Sequence, residues 1–289
     1  MIGSANGRRI GITGLGVHVP EQVFTNKDLE QYVDTTDEWI VERTGIHERR
    51  FATKEEALTD IAAPAAIAAM ANAGADPASF DLIVVATVTP DMMFPTSAAL
   101  LADSLGMPDA AAYDLLAGCT GFMYAVAQAY SMVSSGLSKR ALVVGGDVLS
   151  KILDWHDRST LVLFGDGAGA VVVEPVEEGG FLGFELGADG GGGENLWLPG
   201  SGSRYFEDGD KLVKMNGREV FKFATRVMVS SANDILAECG KTVDDVDVVD
   251  GQPAFVQHLL CRADHHARRE LENLAAVHLH ELVPILEIA

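Results

Sequence analysis

The sequence predicts a layered α/β fold, on three observations. Short apolar runs recur along the chain, at Leu82-Ile83-Val84-Val85-Ala86, Ala111-Ala112-Tyr113-Asp114-Leu115, Ala141-Leu142-Val143-Val144, Ala170-Val171-Val172-Val173 and Val246-Asp247-Val248-Val249. Such runs suit strands buried on both faces. Helical patterns alternate with them, which is the rhythm of helices layered on a sheet. The 289 residues are 48% hydrophobic and 22% charged, enough to bury one or two sizeable cores and too apolar for a disordered chain.

Each helix candidate carries start and stop signals. Thr59 caps a run that ends at Gly74, Thr96 one that ends at Gly106, and Asn216 one that ends at Gly240, while a further run extends from Cys119 to Gly136. Pro64 stands inside the first of these and is expected to kink it or move its start later. Gly179-Gly180 and Gly190-Gly191-Gly192-Gly193 flank a strand-like Phe181-Leu182-Gly183-Phe184-Glu185-Leu186, so a seam between two halves is placed near residue 180. Repeats of short period are absent, which disfavours solenoids and propellers.

Charge and cysteine use narrow the function classes. A formal charge of −21 repels nucleic acid and anionic lipid, so neither is expected as a primary partner. Three cysteines do not make a disulfide framework, and the reading is a chain of the reducing cytoplasm. The start lacks the apolar stretch of a signal peptide. The stretch from Leu115 to Ser138 is uncharged, but Gln128, its serines and its glycines make it a buried soluble helix rather than a membrane span.

Chemistry concentrates at Ala117-Gly118-Cys119-Thr120-Gly121-Phe122, between a predicted strand and an apolar helix. Cys119 is expected in a tight turn at that helix's N-terminus, where free N–H groups and the positive dipole end favour a thiolate and an oxyanion. The competing reading is an inert buried cysteine. Gly165-Asp166-Gly167-Ala168-Gly169 is not a phosphate cradle, because a valine run follows it instead of a helix N-terminus. Arg218, Lys222 and Arg226 are spaced i, i+4, i+8 and form a basic stripe on an acidic protein. An acidic partner suits that stripe, and so does plain solvent. His18 and His156 are read as ordinary surface or core histidines.

Residues 10 to 249 resemble the β-ketoacyl-acyl-carrier-protein synthase III family of the thiolase-like superfamily. Four stretches carry the resemblance: Val33-Asp34-Thr35-Thr36-Asp37-Glu38-Trp39-Ile40-Val41-Glu42-Arg43-Thr44-Gly45-Ile46, Ala117 to Phe122, Asp157-Arg158, and Phe164-Gly165-Asp166-Gly167-Ala168-Gly169-Ala170. It implies a thiolase-like layered αβαβα fold with an N-terminal half over 1–180 and a partial C-terminal half over 181–249. It implies an acyltransferase in which Cys119 takes an acyl group from acyl-CoA, and condensation with malonyl-carrier protein that starts fatty-acid or polyketide synthesis. Trp39, Arg43 and Arg158 are then expected around the CoA nucleotide, an indole for adenine and guanidinium groups for phosphates. Phe94, Leu163, Met215, Gly217 and Phe221 match the family's acyl and pantetheine channel, with Phe94 reaching across a homodimer interface; each also suits an ordinary core. Close backbone packing is the implied role of the glycines at 165–169. No metal or redox cofactor is implied, because the CoA thioester enters as substrate.

The resemblance stops near residue 250. From Gln252 to Ala289 there is no glycine, and five of the eight histidines fall there. Family members carry Pro-His-Gln-Ala-Asn after the strand matching 246–249 and Gly-Asn-Thr-Ser later, supplying the histidine and asparagine that polarise the malonyl thioester. Here the place reads Asp250-Gly251-Gln252-Pro253-Ala254-Phe255. His258 and Asn273 lack the matching neighbours and are assigned no role. The tail 250–289 is therefore read as non-matching, from a terminal helix or a changed coding frame. Two functional readings follow: an impaired synthase, or an incomplete homologue that binds acyl-CoA or an intact partner subunit.

Overall fold

The computed structural model of the chain describes residues 7–246 and the backbone of 248–251 and 257–260. Its elements begin with β1 (Arg9–His18), β2 (Val23–Thr25), α1 (Asn26–Leu29), α2 (Asp37–Thr44), β3 (Glu48–Arg50) and α3 (Leu58–Asn72). There follow β4 (Leu82–Ala86), α4 (Ser97–Leu105), β5 (Ala111–Leu115), α5 (Gly121–Ser135), β6 (Ala141–Val148), α6 (Arg158–Leu161) and β7 (Asp166–Val176). The last are β8 (Leu196–Trp197), β9 (Lys214–Met215), α7 (Gly217–Glu238), β10 (Val248–Gly251) and β11 (Gln257–Leu260).

One five-stranded sheet, in the order β1-β7-β6-β4-β5, organises this region. β4 runs parallel to β5 and β6, and β7 runs antiparallel to β6 and β1. Alternation along the strands sorts their side chains into two cores. Ile83, Val85, Leu142, Val144 and Val172 pack with α3 and α4. Leu82, Val84, Ala141, Val143, Val171 and Val173 pack with α5. Burial on both faces is why these strands read as continuous apolar runs. A third cluster, including Leu29, Ile40, Phe51 and Leu161, lies under the short elements that carry part of the site.

Sequence signals at the helix ends hold in part. Thr96 caps α4, with its hydroxyl accepting the Ala99 N–H, and Gly106 and Gly136 end α4 and α5 in the left-handed conformation. Thr59 is not a cap. α3 starts at Leu58, and the Asp60 carboxylate accepts the Ala57 N–H at 2.8 Å. Pro64 lies inside α3, where the burial of Ile61, Ala62, Ala65 and Ala66 offsets its missing hydrogen bond. Asn216 precedes α7 without making a side-chain cap bond.

Two further expectations are corrected. Phe181 to Leu186 is not a strand; Phe181 and Phe184 pack on Tyr130, and Gly183 leaves room for Ile235 of α7. Cβ atoms on Gly14 and Gly16 would overlap the α3 backbone, so these glycines let β1 approach the helix closely. The strand expected at 246–249 is displaced to Val248–Gly251, paired antiparallel with Gln257–Leu260. The rest of the tail lies outside the described residues, Asn273 included.

Candidate active site

Parallel pairing brings three strand ends to one edge of the sheet. Ala86 at the end of β4 is in register with Leu115 at the end of β5 and with Gly145 near the end of β6. The chain leaves β4 as Thr87-Val88-Thr89, leaves β5 toward Cys119, and closes β6 with Asp147-Val148. Open α/β sheets present ligands with this carboxyl edge. Gly121 then opens α5, whose first turn leaves N–H groups free of helical partners.

Cys119 occupies a single 3₁₀ turn over Gly118–Thr120, immediately before α5. Gly118 has φ of 59°, the left-handed conformation that lets the chain turn this sharply out of β5. The residue is exposed, yet protein surrounds it closely enough that burial pushes the thiol up to about 12, with the Asp147 charge acting the same way. Its own backbone N–H works in the opposite sense. Loss of hydration and a neighbouring negative charge oppose the thiolate, and the hydrogen bond at the helix N-terminus favours it. Exposure describes the open side through which a reagent arrives, and the raised thiol reflects the protein on its other sides.

Trp39, Arg43 and Arg158 come together. The Thr36 hydroxyl accepts the Trp39 N–H at 3.1 Å and starts α2, and Arg43 follows four residues later on the same helix face. Asp157 caps α6, accepting the Ser159 N–H at 2.8 Å, which places Arg158 at the first helical position. The guanidinium carbons of Arg43 and Arg158 lie 4.4 and 4.5 Å from the centre of the Trp39 ring. Arg158 donates to the Asp34 carbonyl at 2.8 Å, and Arg43 meets the carboxylate of Glu42 at 3.7 Å. Among the described residues no carboxylate comes within ion-pair distance of Arg158.

The other expected site residues divide. Leu163 and Met215 are partly buried against the same third cluster as Trp39. Gly217 opens α7 two residues after Met215. Phe94 and Phe221 are 84% and 59% exposed, so neither is core. Arg218, Lys222 and Arg226 are exposed on α7, but the stripe is not purely basic, because Lys222 pairs with Glu219 at 2.8 Å. Lys222 and Arg226 border a groove of about 360 Å³ with Asp189, Asn195 and Phe223. Among the described residues no cluster of metal-ligating side chains is found. None of the described helices is long and apolar enough to cross a membrane.

Sequence reading missed Asp147, Thr87 and Thr89. Asp147 Oδ1 accepts four hydrogen bonds, from the Thr87 hydroxyl, the Val88 N–H and both the N–H and hydroxyl of Thr89, at 2.8 to 3.2 Å. Burial pushes this carboxyl up, and the four donors oppose the shift. The available signal was an aspartate closing an apolar strand after Gly145-Gly146.

A mixed five-stranded sheet with helices on both faces and a cysteine turn at its carboxyl edge defines a thiolase-like acyltransferase. A family model described as 3-oxoacyl-[acyl-carrier-protein (ACP)] synthase III matches residues 113–190. The β-ketoacyl-[acyl-carrier-protein] synthase III of Desulfitobacterium hafniense is 50% identical over 245 residues, 82% of this chain and 74% of that protein. The solved synthase III of Thermus thermophilus superposes with a TM-score of 0.77 at 49% identity, covering 82% of this chain and 74% of its own. The priming β-ketosynthase of the R1128 polyketide pathway gives 0.81 at 34% identity, covering 93% of this chain and 78% of its own. The chain belongs to the β-ketoacyl-[acyl-carrier-protein] synthase III family.

Proposed function

We propose that this chain takes an acyl group from acyl-CoA onto Cys119, the first half of the reaction that condenses a CoA-bound primer with malonyl-carrier protein. The observation that carries the reading is the joint placement of Trp39, Arg43 and Arg158, residues of two separate motifs that meet with cationic groups available to an anion. Guanidinium groups bind phosphates with charge-assisted hydrogen bonds, and an indole supplies the flat apolar face that a purine needs. Leu163, Met215, Gly217, Phe94 and Phe221 are assigned to the acyl and pantetheine path. Arg218, Lys222 and Arg226 are assigned to carrier-protein docking, with Glu219 moderating the charge. Exposed Met92, Met93 and Phe94 support a homodimer, since large apolar side chains side by side favour a covering surface. The division into a first half to residue 180, a partial second half to 249 and a non-matching tail belongs to the same proposal, as does a cytoplasmic setting.

Chemically, the thiol must lose its proton, attack the thioester carbonyl and expel the CoA thiolate, which takes up a proton. The α5 N-terminus offers N–H groups toward the developing oxyanion. Condensation asks more, because donors must meet the malonyl carbonyl as carbon dioxide leaves. The family's histidine and asparagine motifs are missing from this sequence, so condensation is assigned as impaired, and binding of acyl-CoA or of an intact subunit is the second reading. Calorimetric titration with CoA, acyl-CoA and dephospho-CoA tests the site. Binding that requires the phosphates supports it, and no binding of any of the three rejects it.

A further inference from the structure

We propose that Asn26 and Arg49 are positioning residues for the cluster of Trp39, Arg43 and Arg158: together they brace the two short helices that carry it, and so fix the gap offered to an anion. The inference rests on the CoA reading for its purpose, but one arm of its test reads the cluster without CoA.

Packing alone holds neither helix firmly. α2 has eight residues and fully buries only Ile40, and α6 has four residues and buries Thr160 and Leu161. Helices this short are marginal without tertiary support. Yet Arg158 on α6 must meet the Trp39 ring on α2, its guanidinium carbon 4.5 Å from the ring centre.

Two fully buried polar side chains supply the support. Asn26 Nδ2 donates to Asp37 Oδ1 at 2.8 Å, in the first turn of α2, and to the Ile46 carbonyl at 2.7 Å, just past its end. One amide group thus ties both ends of α2. Asn26 Oδ1 accepts from Arg49 at 2.8 Å, and the same Arg49 nitrogen donates at 3.1 Å to the Val162 carbonyl, which directly follows α6. A continuous hydrogen-bonded path therefore joins the helices. Arg158 closes it from the other side by donating to the Asp34 carbonyl ahead of α2, so a shift of either helix is felt at the cluster. Apolar side chains would fill the space of Asn26 and Arg49 at a smaller cost in lost hydration. What the polar pair adds is direction, because each bond fixes one backbone or side-chain group of the elements around the cluster.

The test uses the full-length chain. Asp37 is exposed, so its substitution is expected to leave the fold intact. Asp37→Ala removes the acceptor that Asn26 holds, whereas Asp37→Asn keeps an Oδ1 there and loses only the charge. In one arm, proton–nitrogen correlation NMR follows the indole N–H signals of the three tryptophans, that of Trp39 being the one lost in Trp39→Phe. In the other, calorimetry gives the affinity for CoA. Asp37→Ala is expected to move the Trp39 signal and weaken CoA binding about fivefold, the scale of one net hydrogen bond. Asp37→Asn is expected to leave both near their original values. Asn26→Asp keeps the bond to Arg49 but loses both bonds to α2, and about a tenfold weakening is expected. Where circular dichroism shows that Asn26→Asp does not fold, the Asp37 pair decides. Gly16→Ala, which strains the contact of β1 with α3 instead, is expected to lower the melting temperature with the Trp39 signal in place. An unmoved Trp39 signal in Asp37→Ala, or an equal movement in Asp37→Asn or Gly16→Ala, overturns the proposal. Absence of CoA binding by the unsubstituted chain would reject the functional reading, and the indole signal would still decide the bracing.

Discussion

Arg43 and Arg158 hold their guanidinium groups against a single indole, that of Trp39, 4.4 and 4.5 Å from its centre. Two like charges so placed repel each other, and the partial negative charge of the ring face offsets only part of that repulsion. A phosphate placed between them would offset the repulsion. Arg43→Ala and Arg158→Ala are therefore each expected to weaken CoA binding by about tenfold, on the scale of one exposed charge-assisted hydrogen bond. Added salt should weaken binding by the unsubstituted chain more than by either variant. Calorimetry at two ionic strengths checks this, and unchanged affinity in both variants would remove the arginines from the site.

Arg49 is buried, and among the described residues no carboxylate lies within ion-pair distance of it. Its guanidinium donates to Asn26 Oδ1 at 2.8 Å and to the Val162 carbonyl at 3.1 Å, and Asn26 in turn donates to Asp37 at the start of α2. Burial lowers this arginine to about 10. Arg49→Ala is expected to destabilise the fold by about 3–4 kcal/mol, because it opens a cavity and strands two acceptors. Chemical denaturation measures the loss; a change within 1 kcal/mol would show that the network relaxes around the gap.

Asp81 secures the entry to β6. Burial raises its carboxyl, but the Ser138 hydroxyl and the N–H groups of Lys139 and Arg140 outweigh burial and leave it below the ordinary value of 3.8. A carboxyl depressed by folding adds stability above its unfolded pKa and loses it as pH falls through the folded one. Asp81→Asn is expected to cost about 1–2 kcal/mol at pH 7 and less below about pH 4. Equal losses at pH 7 and pH 3 would contradict the sign.

Gly16 lies where β1 meets α3. A Cβ there would overlap the Ala65 carbonyl and press on Ala68 and Ala69. Gly16→Ala is expected to destabilise by about 2–3 kcal/mol, as with other overpacked contacts, whereas Gly169→Ala, with nothing nearer than 3.9 Å, should be close to neutral. Thermal melts of the pair decide between them.

That pair also shows what the sequence could reveal. β4 and β5 match their predicted runs residue for residue; β4 is buried on both faces, whereas β5 is a partly buried edge strand that carries Asp114. β1 was illegible, since Gly11, Gly14 and Gly16 break its alternation, and the reason for two of them is α3, about 50 residues away in the chain. Phe181 to Leu186 misled in the opposite way, an apolar run between glycines whose two phenylalanines pack on Tyr130 instead of entering a sheet. Trp39, Arg43 and Arg158 were readable only through resemblance, as no local spacing links α2 to α6. Asp147 stands out in the sequence only as an aspartate closing an apolar strand, because its bonds to Thr87 and Thr89 arise from the register of β4 beside β6.

On the proposed function, Cys119 accepts an acyl group while condensation fails. Intact-protein mass after incubation with acyl-CoA, run beside carbon dioxide release from malonyl-carrier protein, separates the two steps. The account predicts a single acyl adduct that maps to Cys119 and is lost in Cys119→Ser, with carbon dioxide release at background, since loss of oxyanion donors that act together leaves little catalysis. An absent adduct, or an adduct accompanied by robust decarboxylation and condensation, would contradict it.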